Sequence, residues 1–217
     1  MDEKVQPHRI SMALGGALAS ERGERPLRAH VNGEVCSTCN NGWMSSLDAS
    51  AQTILTRRPL RGRITDDEAA VLARWFAKVA VNLNVSQPYR LLVPAPSRHG
   101  LATGIPDQFA VHLFRVRRQN GVFDWVQKSP DSGVVPSGRV DEWQRLAALT
   151  LVTHIRVTDL VAVVVHVPEP LRSTDVRPDE VARIHPVPTR LPTWGGLPRH
   201  NYYWGQSTHL NMGDATT

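Results

Sequence analysis

The stretch Leu160 to Val167, LVAVVVHV, limits the possible folds more than any other part of the chain. Apolar residues occupy both of the alternating faces that a strand presents, so neither face can be left in water. A strand of this kind is expected at the centre of a sheet, covered on both sides. Leu149 to Val157 precedes it, and Thr158-Asp159 joins the two as a hairpin. Phe109 to Arg117, FAVHLFRVR, is a further strand, with Ala110, His112, Phe114 and Val116 alternating against Val111, Leu113 and Arg115. Gln119-Asn120-Gly121 reads as a hairpin turn, Asn-Gly being suited to positive φ. Val122 to Gln127 is then expected to return as the partner strand. His112, His154 and His166 all fall inside strands, and no carboxylate or spacing gathers them into a metal site. Packing within the sheet is their expected role.

Two helices precede the strands. Met44, Leu47, Ala51, Ile54 and Leu55 recur at helical spacing, and Pro59 stops the run after Arg57 and Arg58. Thr65-Asp66-Asp67-Glu68 is a capping box, in which the threonine hydroxyl and the glutamate carboxylate each satisfy an orphan N–H. The helix it opens is expected to reach about Asn82. Leu72, Trp75, Phe76, Val79 and Leu83 form its buried stripe, with Arg74 and Lys78 on another face. Trp75 and Phe76 are expected in the core rather than as a platform for stacking bases, and the two helices as an antiparallel pair.

Prolines at 88, 94, 96 and 106 change the texture from Ser86 onward. Arg177 to Ile184 is expected as a short helical turn. A Pro-rich tail with Trp194 follows, and its cluster RHNYYWG at Arg199 to Gly205, which could stack bases, is expected instead to wrap a subdomain and bury its aromatics. The class is α+β. The expected organisation is a poorly ordered segment 1–34, a knuckle and two-helix unit 35–85, an antiparallel β-rich subdomain 86–185 and a tail 186–217.

The chemistry sits just before the first helix, in EVCSTCNNGWMSSLD at Glu34 to Asp48. Cys36 and Cys39 are the only two cysteines in the chain. At this spacing two sulfurs on one turn converge within about 4 Å, which suits a shared metal ion better than a structural disulfide. A thiol redox site is a further reading, because a helix start favours thiolate. The strand–helix–strand surroundings of such sites are missing here. The plainest reading leaves both thiols free, with Asn40 capping the helix.

VCSTCNNGWMSSLD resembles the second zinc knuckle of HNH-type endonucleases, in a bacterial and phage branch with the signature Cys-x-x-Cys-Asn-x-Gly-Trp-Met-Ser-x-Leu-Glu. Looser similarity continues through the next helix to the end of the chain. The resemblance implies a treble-clef unit in which Cys36 and Cys39 hold structural zinc. Asn40 falls where a metal-binding His or Asn stands in the family. With a strand histidine, that position would hold a catalytic divalent ion such as Mg²⁺, and DNA would be the partner. The family carries its first Cys-x-x-Cys and an Asp-His or Glu-His catalytic pair upstream. Here Met1 to Val35 has no cysteine, and His8 and His30 follow neither Asp nor Glu. The expectation is therefore binding without cleavage, from a chain that lost its catalytic half or whose start lies further upstream. His30 is the nearest candidate for a third metal ligand.

A net charge of +5 and a pI near 9.8 suit a nucleic-acid partner. Arginine outnumbers lysine 22 to 3, however, which is the imprint of a GC-rich coding sequence. The densest basic pieces are Arg57 to Arg63 and Arg115 to Arg118; the first reads either as a nucleic-acid contact or as a merely solvated face, the latter being the plainer expectation. Ile10 to Ser20 is too brief and glycine-interrupted for a signal segment, and no run approaches the ~18 apolar residues of a membrane span. A cytoplasmic protein is expected. The alternative to the nuclease relationship is a non-enzymatic interaction module. In it, two copies pool Cys36 and Cys39 around one zinc ion as a homodimer.

Overall fold

In the computed structural model, Leu160–His166 is buried at every position and has a strand on either side. The structure describes residues 8–14, 17–25, 35–57, 62–86, 92–117, 123–128, 130–132, 138–173, 176–179, 181–201 and 208–210. In chain order the elements begin with β1 (His8–Leu14) and β2 (Ala17–Arg25). A helical turn at Ser37–Cys39 then runs into a π-type turn at Asn40–Met44. Next come α1 (Ser45–Thr56), α2 (Asp66–Val85), α3 (Ala95–Gly100), β3 (Phe109–Val116), β4 (Phe123–Lys128), β5 (Asp131–Ser132) and α4 (Val140–Leu149). The series closes with β6 (Leu151–Val157), β7 (Leu160–His166), β8 (Val176–Pro178), β9 (Ala182–His185), β10 (Arg199–His200) and β11 (Thr208–Leu210).

The protein is α+β. Its main sheet runs β10-β3-β7-β6-β4, with β9 also on β3. β9 pairs antiparallel with Val111 to Leu113, and β10 runs parallel at Arg115 and Val116. β6 and β7 form the expected hairpin through Thr158, which takes a positive φ of 58°. β5, β11 and β8 make a small second sheet. Within the segment expected to lack order, β1 and β2 pair as an antiparallel hairpin.

Two expectations are overturned. β4 does not return along β3; it pairs with β6, four places from β10 in the sheet, while β3 pairs with β7. The apolar β7 needs cover on both edges as well as both faces, and the β6–β7 hairpin inserts between β3 and β4 to supply it. Asn120-Gly121, which suggested the hairpin, lies outside the described residues. Residues 177–184 are not a helical turn either. They contribute to β8, which pairs with β11, and to β9, which pairs with the outer edge of β3; both pairings outweigh a weak local preference.

One core cluster joins α2 to the first face of the sheet. Leu72, Phe76 and Leu83 meet Phe109, Val111, Leu113, Leu151, Ile155, Ala162 and Val164. The units 35–85 and 86–185 therefore share a core. On the second face, Ala110, Phe114, Val152, Val161, Val163 and Val165 pack with Leu146 and Ala147 of α4. Nothing in the sequence reading foresees α4, although its apolar positions have helical spacing (Trp143, Leu146, Ala147).

α2 opens on the expected capping box, with Thr65 Oγ1 accepting from the Glu68 N–H and Glu68 Oε2 accepting from the Thr65 N–H, each at 3.2 Å. Asp48 of α1 accepts from Trp75 Nε1 at 2.7 Å and pairs with Lys78, and Arg57 pairs with Glu68. Partners recede along α2 as α1 advances, so the two helices run antiparallel. Lys78 is not solvated: its side chain is only 7% exposed beside that carboxylate. The Pro-rich segment before the aromatic cluster packs on the start of α2. Trp194 is fully buried, its N–H donates to Gly62 O at 2.9 Å, and its Nε1 reaches Glu68 Oε2 at 3.4 Å. Tyr202, Tyr203 and Trp204 lie outside the described residues. Among the described residues no helix is long and apolar enough to cross a membrane.

Candidate metal-binding turn

Cys36 has extended backbone (φ −61°, ψ 145°) and caps the short helical turn that follows it. Its Sγ accepts the Cys39 N–H at 3.3 Å. The capping role that the plainest reading gives Asn40 thus belongs to Cys36. Asn40 lies in the αR region, donates its N–H to Cys36 O at 3.0 Å and leaves its side chain exposed. Gly42 (φ −96°, ψ −114°) then departs from helical geometry, so the turn carrying both cysteines is set off from α1 by a kink.

The two thiols are free and unlike. The Cys36 thiol is pulled down, first by hydrogen bonding with the Cys39 side chain and then by the Cys39 backbone N–H. The Cys39 thiol is pushed up, chiefly because it donates toward Cys36, and the Trp43 indole acts against that shift. Trp43 Nε1 is buried and makes no full hydrogen bond among the described residues. The sulfur of Cys39 is the group that draws it. The Trp43 ring is also held from outside, with the Arg74 guanidinium 5.2 Å from its centroid. Arg74 is fixed in turn by its Nε donating to Leu101 O at 2.7 Å. In the sequence Trp43 stands out only as part of the motif that follows the cysteines. Its place four residues after Cys39 is the signal that could have marked it.

Chemically, the turn offers two sulfur donors on one side, one of them predisposed to thiolate. That fits one half of a tetrahedral zinc site, and Cys36 and Cys39 would hold the ion there. Among the described residues no group of three or more His, Cys, Asp or Glu side chains gathers. His30 and the side chain of His8 lie outside them. The sheet histidines are separated by register. His112 and His154 flank Val163 on one face. His166 is on the other, edge-on to Phe109 with centroids 4.8 Å apart. Burial pushes both His112 and His166 down to about 4; for His112 the charge of Arg183 acts in the same direction.

The basic pieces are partly engaged inside the protein. Arg57 binds Glu68, and Arg115 binds the buried Asp159 through Nε at 3.0 Å. Arg58 and Arg61 lie outside the described residues. No family model, no curated protein and no solved structure matches the chain.

Proposed function

We propose that this is an HNH endonuclease-related protein that binds nucleic acid, with Cys36 and Cys39 supplying two thiolates to a structural zinc ion. The observation that carries the reading is the capped turn: an N–H aimed at the Cys36 sulfur and a thiol held beside it lower the cost of the thiolate that zinc requires. The motif around it carries the family relationship, and the net charge of +5 suits a phosphate backbone. Asn40, exposed on the same turn, keeps the position that the family gives to a metal-binding residue. Cleavage is not assigned, because neither His8 nor His30 follows Asp or Glu, so no Asp-His or Glu-His pair before Cys36 supplies the family's general base.

The exposure of Cys36 favours a second reading. A sulfur open to solvent can be reached by the same turn of another copy, and two such turns complete four thiolates. This is the zinc-linked dimer.

Elemental analysis of wild type and Cys36→Ala, with mass in solution, separates these readings. One zinc per two chains in a dimer, lost on mutation, supports the dimer. One zinc per monomer, with salt-dependent binding of a labelled duplex, supports the nuclease relationship. Absence of zinc together with absence of duplex binding would sink both.

A further inference from the structure

The second face of the sheet ends, beside β9, in a cavity of about 480 Å³. Four polar side chains from separate parts of the chain line it: His112 of β3, Ser173, Arg183 of β9 and Arg190. His112 pairs across the strands with Arg183 in the β3–β9 register, so the imidazole and one of the two guanidinium side chains are adjacent by construction. His112 is only 7% exposed, and its Nδ1 has no hydrogen-bond partner among the described residues. A buried ring nitrogen left without a partner costs about 1–3 kcal/mol, which a bound group could relieve. Arg183 and Arg190 are exposed at the cavity, and neither has a carboxylate partner among the described residues. The two guanidinium groups line one concavity, and no carboxylate is among the residues lining it. The remaining wall is apolar and stiff, with Val176 and Pro178 both buried.

We propose that this cavity binds a small phosphate monoester with an apolar body. Two guanidinium groups and the buried Ser173 hydroxyl approach from different elements. Donors spread in this way suit three tetrahedrally arranged oxygens better than the two coplanar oxygens of a carboxylate. The volume leaves room for a ring or short chain against the valine and proline wall, within the range of ordinary ligand pockets. The site lies across the sheet from α2 and the cysteine turn, and does not depend on zinc or on nucleic acid.

The test is calorimetric titration of the full chain with phenyl phosphate, beside inorganic phosphate, benzoate and benzyl alcohol. Saturable binding of phenyl phosphate, at least about tenfold weaker in Arg183→Gln and again in Arg190→Gln, is the expected result, since each substitution removes one charge-assisted hydrogen bond. Both arginines are exposed, so circular dichroism of these variants should match wild type. Benzyl alcohol should not bind, and inorganic phosphate and benzoate should each bind more weakly than phenyl phosphate. Failure of phenyl phosphate to bind, or equal binding by wild type and both arginine variants, would overturn the proposal. Equal affinity for benzoate would overturn the phosphate assignment, and equal affinity for inorganic phosphate would overturn the role given to the apolar wall.

Discussion

The two cysteines are chemically distinct because one turn gives them opposite hydrogen-bonding roles. Cys36 accepts the Cys39 N–H and is pulled toward thiolate, while Cys39 is pushed the other way. In metal-free protein at pH 8, limiting iodoacetamide should therefore alkylate Cys36 before Cys39, as read by peptide mass spectrometry. Equal labelling would contradict the asymmetry. A second residue-level consequence concerns Asp48 and Lys78, whose side chains are 53% and 7% exposed. Asp48→Ala strands a buried ammonium and the Trp75 indole N–H, and should cost about 3 kcal/mol in urea unfolding. Lys78→Met leaves only a half-exposed carboxylate that water can serve, and should cost about 1 kcal/mol or less. At this scale the cysteine pair was legible from its spacing, and the Thr65–Glu68 box from its residue types. The burial of Lys78 was not, because it depends on which element lies against that face of α2.

Helix α2 shows how one side chain ties several elements together. Glu68 completes the capping box, receives Arg57 from the end of α1 and is reached by the buried Trp194 of the tail. Thr65→Ala removes only the cap and should destabilise by about 1 kcal/mol. Glu68→Ala also strands the indole N–H of Trp194 and frees Arg57, so it should cost about 2–3 kcal/mol in the same denaturation experiment. Similar losses for the two variants would mean that the tail is not anchored there. α1, α2, β3, β6 and β7 were legible because each carries a clear period or cap. α4 escaped notice because its apolar positions are few and no cap marks its start, and β9 was misjudged as helical. Ala182–His185 is a strand because the free edge of β3 stands beside it, and a short segment's own preference is too weak to resist that pairing.

For the molecule as a whole, the buried histidines link stability to pH. Unfolded, His112 and His166 take up protons near 6.5; folded, only near about 4. Between those values the unfolded chain binds more protons. Each histidine's contribution is therefore fully present above pH 6.5 and is lost as the pH falls through about 4, at about 3 kcal/mol per group. Burial lowers His185 as well, with the same sign. Urea midpoints measured from pH 7 to pH 4 should fall steeply, and His166→Leu should flatten part of that slope; a slope unchanged by this substitution would refute the assignment. The sequence by itself determined that β7 is central, that two helices stand before the sheet and that a two-thiol turn precedes them. Those features follow from side-chain period, caps and spacing, all of which act within a few residues. Only the tertiary structure decided that β4 pairs with β6, that α4 covers the second face and that His112 meets Arg183 at a cavity. Such pairings depend on the edges and faces left open by segments far apart in the chain, and no local pattern encodes them.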